Sequence, residues 1–111
     1  MPSRYVPGRG DIVWLSFDPQ SGHEQAGCRP ALIVSPQEYN RKVGLALLCP
    51  ITGQCKGYPF EVSLPEESKV TGVVLADQVK SMDWRARKAE YACRAPDPVV
   101  LEVIAKAKSL L

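Results

Sequence analysis

With 111 residues, 45% of them hydrophobic, the chain has apolar surface for one core and no room for a second domain. Its net charge of +2 excludes the overall basicity of a nonspecific nucleic-acid binder. Four cysteines without a Cys-x-x-Cys pair and a single histidine exclude zinc-ligand spacing, and no apolar run approaches the roughly 20 residues that a membrane-spanning helix needs.

The N-terminal Met1-Pro2-Ser3-Arg4-Tyr5 lacks the apolar core of a signal peptide, so a cytoplasmic protein with free thiols is expected. After a Pro7-Gly8-Arg9-Gly10 turn, Asp11-Ile12-Val13-Trp14-Leu15-Ser16-Phe17 is rich in strand formers, with Trp14 assigned to the core. Asp18-Pro19-Gln20-Ser21-Gly22 ends it. A polar loop, His23-Glu24-Gln25-Ala26-Gly27-Cys28-Arg29-Pro30, leads into a predicted strand over residues 31–35. One or two helical turns over 35–42 follow, with Ser35 as cap and Pro36 at the first helical position.

A predicted strand over 45–50 places Cys49 in the interior and opens into a second polar loop, Ile51-Thr52-Gly53-Gln54-Cys55-Lys56-Gly57-Tyr58. Further strands are expected over 59–64, with Phe60 inward, and over 72–80, separated by the polar Pro65-Glu66-Glu67-Ser68-Lys69. Lys80, Arg85, Arg87, Lys88 and Arg94 then concentrate positive charge, opposed only by Asp83 and Glu90. The last element is a helix capped by Asp97, with Pro98 in its first turn and Val100, Val103, Ile104, Ala107 and Leu111 on one face. Short strands and a terminal helix define an α+β, mainly β, single domain over residues 1–111, built as a small curved sheet or partly open barrel.

Two polar loops thus flank two apolar strands, each loop setting a charged or hydroxyl side chain beside proline or glycine. Glycine lets a ligand backbone approach closely, and a rigid strand fixes the neighbouring polar group. Such a pair suits a phosphodiester. Arg29 offers a planar fork for phosphate oxygens and is biased toward extended backbone by Pro30; Thr52 offers a hydroxyl, and Gly53 an unobstructed N–H.

Glu-Gln-x-Gly-x-Arg-Pro at 24 to 30, Lys-Gly-Tyr-Pro-Phe-Glu-Val at 56 to 62 and Leu-Ala-Asp-Gln-Val-Lys-Ser at 75 to 81 resemble the MazF/PemK family. The likeness runs from Arg4-Tyr5-Val6-Pro7 through Trp84-Arg85-Ala86-Arg87 and fades in the C-terminal helix. It implies the SH3-like barrel shared with the gyrase-poisoning toxin CcdB. It also implies the toxin of a type II toxin–antitoxin pair, a metal-independent, sequence-selective endoribonuclease acting on single-stranded mRNA without a cofactor.

RNA carries its own nucleophile: the 2′-hydroxyl attacks the adjacent phosphorus, giving a 2′,3′-cyclic phosphate and a 5′-hydroxyl. The protein must then supply alignment, stabilisation of the phosphorane charge and proton transfers. The resemblance implies Arg29 and Thr52 as the catalytic pair. Because a free guanidinium holds its proton, Arg29 is assigned chiefly to charge stabilisation. Glu24 is the candidate for base or for orienting Arg29, ahead of His23.

Gln25, Gly27, Gly53, Lys56, Tyr58, Phe17 and Lys80 form the expected substrate-binding set: lysines for neighbouring phosphates, aromatic rings for stacking on unpaired bases. Gln25, Asn40 and Gln78 are candidate readers of base edges, and Trp84 either stacks on a base or seals a dimer interface. A homodimer fits the small size of the chain. The resemblance further implies an antitoxin whose acidic, disordered C-terminal segment competes with RNA for Lys56, Lys80, Arg85 and Arg87. Two alternatives are a gyrase-poisoning toxin on the same fold and a noncatalytic RNA-binding barrel. The C-terminal Ser109-Leu110-Leu111, in place of the Trp-Gly-Ile of gyrase poisons, counts against the first, and the Arg29/Thr52 pair against the second.

Overall fold

The computed structural model describes residues 5–16 and 28–111. In chain order the elements are β1 (Asp11–Ser16), β2 (Cys28–Ile33), α1 (Gln37–Val43), β3 (Ala46–Thr52), β4 (Glu61–Ser63), β5 (Val73–Leu75), β6 (Lys80–Met82), β7 (Glu90–Arg94) and α2 (Asp97–Lys108). The strands form one open, antiparallel, seven-stranded sheet in the order β4-β5-β3-β2-β1-β7, with β6 also paired to β3. No helix among the described residues is long and apolar enough to cross a membrane.

Both faces of the central strands are covered, which is why β2 and β3 read as apolar runs rather than alternating patterns. One face packs Leu32, Cys49, Ile51, Val62 and Val74 against Val99, Val100 and Val103 of α2. The other packs Val13, Leu15, Ala31, Ile33, Ala46 and Leu48 around Trp84. Burial pushes the Cys49 thiol up to about 12, helped by the negative charge of Asp77.

The predicted strand over 72–80 is two strands, and Pro50 coincides with the break. Proline has no N–H for a ladder. On that edge of β3, β6 pairs residues 46–48 and β5 pairs 51–52, leaving Cys49 and Pro50 between them. The segment between β5 and β6 turns there, with Gln78 N–H donating to the Leu75 carbonyl at 3.1 Å. The five-residue strand β7, read from sequence only as part of a basic run, pairs with β1 and buries just the small Ala92.

Several side chains differ from expectation. Trp14 is 37% exposed, because alternation along β1 turns Val13 and Leu15 inward and Trp14 outward. Trp84 is buried, and its indole N–H donates to the Asn40 carbonyl at 3.0 Å, so it belongs to the core rather than to a stacking surface. Asn40 is fully buried: its amide donates to the carbonyls of Pro7 (2.7 Å) and Ser35 (3.2 Å) and accepts the Ser35 hydroxyl proton. That spends the amide on bracing α1, and Asn40 is not a base reader. Ser35 is correspondingly not the helix cap; Pro36 takes that position for α1, and Pro96 rather than Asp97 takes it for α2. Leu111 lies beyond α2 and is exposed.

Candidate functional site

The site is built where β2 and β3 end together. Ala31 pairs with Pro50, Leu32 with Cys49 and Ile33 with Leu48. Arg29 of β2 and Thr52 at the end of β3 each lie two residues beyond the last pair of that ladder, Ala31 with Pro50. Opposed residues of an antiparallel pair share a face, and Ala31, Ile33 and Leu48 of this register lie in the Trp84 cluster. Arg29 and Thr52 therefore point to the same side of the sheet. Lys80, opposite Leu48, points there too.

Neither Arg29 nor Thr52 sits in a loop, as the sequence suggested. Arg29 is the second residue of β2, exposed and paired with Leu15; Thr52 closes β3, paired with Val73 of β5. Strand placement fixes both backbones more firmly than a loop would. The Thr52 hydroxyl accepts the Gln54 N–H at 3.2 Å, which turns the chain out of the strand. Gly53 is exposed with open space around it.

Beyond Thr52 the chain encloses a cavity of about 170 Å³ lined by Thr52, Gln54, Lys56, Tyr58, Phe60, Glu61, Leu75, Asp77 and Gln78. Two motifs separated in sequence, 56–62 and 75–81, thus meet at one place. Lys56 is exposed and the Tyr58 ring is 60% exposed, available to a flat ligand; Phe60 is half-buried. The Glu61 carboxylate accepts N–H groups from Lys56 and Gly57, which hold its carboxyl below the usual carboxylate range.

The basic run divides by role. Arg87 donates to the Ser16 carbonyl at 2.9 Å, and Arg94 donates to the Arg9 carbonyl and pairs with Asp11 at 3.4 Å. These two guanidiniums brace the fold through those contacts. Arg85 lies 4.7 Å from the centre of the Trp84 ring, while Lys80 and Lys88 are exposed. Of the remaining expected site residues, Phe17, His23, Glu24, Gln25 and Gly27 lie outside the described residues. Among the described residues no cluster of histidine, cysteine, aspartate or glutamate could hold a metal ion.

Gly72 is a site-shaping residue without a signal in the sequence. It adopts φ +120°, and a Cβ there would stand 2.3 Å from the Thr52 carbonyl oxygen and 3.0 Å from its carbon. The close approach lets β5 back directly onto the end of β3. Gly72→Ala is expected to cost on the order of 1–3 kcal/mol in denaturant unfolding, through positive φ and displacement of Thr52. Loss of whatever activity depends on Thr52 should exceed that expected from unfolded protein alone.

The open, seven-stranded antiparallel sheet with a C-terminal helix defines a small barrel-like toxin domain. The chain belongs to the PemK-like, MazF-like toxins of type II toxin–antitoxin systems, whose family model matches residues 8–111. It is 58% identical over 89 residues to the endoribonuclease toxin MazF of Escherichia coli (strain K12), covering 80% of this chain and 79% of that protein. The crystal structure of MazF (Form-I) from Deinococcus radiodurans superposes with a TM-score of 0.87 at 56% identity, covering 96% of each chain. The MazE–MazF crystal structure (Form-II) from the same organism gives 0.86 at 50% identity, covering 96% of this chain and 95% of that one.

Proposed function

We infer that the protein is a MazF-type endoribonuclease, the toxin of a type II pair, cutting single-stranded RNA by attack of the 2′-hydroxyl on the adjacent phosphorus. The reading is supported by Arg29 on β2 and Thr52 at the end of the neighbouring strand β3, in a member of a family with close relatives named as endoribonucleases. Arg29 stabilises charge on the phosphorane oxygens through its fork, and Thr52 adds a hydroxyl hydrogen bond to the same group. Glu24 is proposed as base or as the orienting partner of Arg29. The backbone N–H of Gly53 is available to the phosphate.

Lys56 and Lys80 receive neighbouring phosphates, and Tyr58 stacks on an unpaired base at the cavity, where the Gln78 amide reads its edge. Gln25, Gly27 and Phe17 complete the proposed binding set. In this account the protein acts in the cytoplasm as a homodimer. An antitoxin of the MazE kind inhibits it by laying an acidic segment over Lys56, Lys80 and Arg85.

The attacking group is the RNA's own and the charge is met by Arg29, so no metal is required. Long single-stranded RNA incubated with the protein in EDTA should be cut at the rate seen with magnesium, at a short recurring sequence. Strict dependence on magnesium or zinc contradicts the mechanism. Binding of RNA without cutting would favour the noncatalytic barrel, and inertness toward RNA the gyrase poison.

A further inference from the structure

We propose that Glu61 is a positioning residue for RNA cleavage: its carboxylate closes the loop over residues 53–60 so that Lys56 and Tyr58 are held at the cavity they share with Thr52. The proposal rests on the endoribonuclease reading and assigns one residue within it.

Glu61 is a fixed anchor. It pairs with Leu75 of β5, its N–H donates to the Tyr58 carbonyl at 3.1 Å, and its own carbonyl accepts the Lys106 ammonium of α2 at 3.3 Å. The loop it faces has no ladder of its own between Thr52 and Glu61, so its backbone N–H groups need other acceptors. The carboxylate supplies them. Oε2 lies 3.1 Å from Lys56 N, and Oε1 lies 3.0 Å from Gly57 N and 3.3 Å from the Cys55 thiol, which donates to it. Gly57 adopts φ +79°, the turn that brings the chain back over the carboxylate.

A surface carboxylate ordinarily meets lysine or arginine side chains. Here it takes main-chain donors from the residues that carry the binding groups, leaving the Lys56 ammonium to face outward. Repulsion of an incoming phosphate by Glu61 is reduced by the same bonds, because the negative charge is already met by two N–H groups. The carboxyl is held below its ordinary range by the Lys56 N–H first of all, so it remains ionised and acceptor-only at neutral pH.

The test is a double-mutant cycle on the full chain, read by cleavage kinetics and by amide hydrogen exchange. Removing a charge-assisted anchor should raise KM for RNA by about tenfold in Glu61→Ala with kcat within about twofold, because Arg29 and Thr52 are untouched. Glu61→Gln, which keeps one carbonyl acceptor, should recover part of the loss. In a Lys56→Ala, Tyr58→Ala background, Glu61→Ala should add less than about twofold, since the groups it positions are gone. Exchange at Lys56 and Gly57 should accelerate while β2 and β3 stay protected. An active wild type whose Glu61 penalty is fully independent of Lys56 and Tyr58, or whose Lys56 and Gly57 exchange is unchanged, overturns the positioning role alone. A wild type inert toward RNA overturns the endoribonuclease reading together with it.

Discussion

Arg29→Ala is expected to slow RNA cleavage by roughly 100- to 1000-fold, the usual effect of deleting a donor aimed at transition-state charge. The side chain is exposed, and the backbone of Arg29 is held by pairing with Leu15 whatever side chain it carries. Stability should therefore change by no more than about 0.5 kcal/mol, as for other surface substitutions. Arg29→Lys tests the fork specifically. It keeps the charge and loses the bidentate geometry, so it should recover only a small part of the rate. Thr52→Ala should also lower the rate strongly but with some loss of stability, since its hydroxyl holds the Gln54 N–H. Single-turnover rates beside unfolding curves separate these outcomes, and a drop of less than about tenfold for Arg29→Ala contradicts its role.

The candidate site could be named from the sequence because its residues stand in local motifs. Arg29-Pro30, Thr52-Gly53 and the 56–62 and 75–81 segments each name their own residues. What the sequence could not place was their setting. Pro30 marks a loop by local rules, yet β2 runs through it, because pairing with β3 begins only at Ala31 and Pro30 needs no donor on that side. The split of the 72–80 run depends on which residues of β3 each half meets, a long-range fact carried by Pro50.

Roles decided by burial were likewise hidden. Asn40 has the chemistry of a base reader, and only its bonds to the Pro7 and Ser35 carbonyls show that the amide is already spent. Arg87 and Arg94 look like their basic neighbours until their carbonyl partners are seen. Gly72 matters for what it lacks, a Cβ against the Thr52 carbonyl, and nothing adjacent in sequence announces that contact. Glu61 stood inside a recognised motif, but its importance lies in a loop folding back on it.

The largest effect should come from the substrate rather than from the protein. Replacing the one ribose 5′ to the scissile phosphate by deoxyribose removes the attacking oxygen and leaves in place the phosphate contacts proposed for Arg29, Thr52, Lys56 and Lys80. Cleavage at that site should cease while binding changes little, since affinity for a single strand resides mainly in phosphate contacts and base stacking. Arg29→Ala and the deoxy substrate then disable different parts of one step.

The most direct measurement of the mechanism is the chemistry of the fragment ends on ordinary RNA, taken beside the deoxy substrate. Internal attack leaves the phosphorus on the upstream fragment, so the account predicts a 2′,3′-cyclic phosphate, or the 3′-phosphate formed by its hydrolysis, and a 5′-hydroxyl downstream. Recovery of 5′-phosphate ends, or undiminished cutting of the deoxy substrate, would show that water is the nucleophile and that Arg29 and Thr52 serve a different reaction.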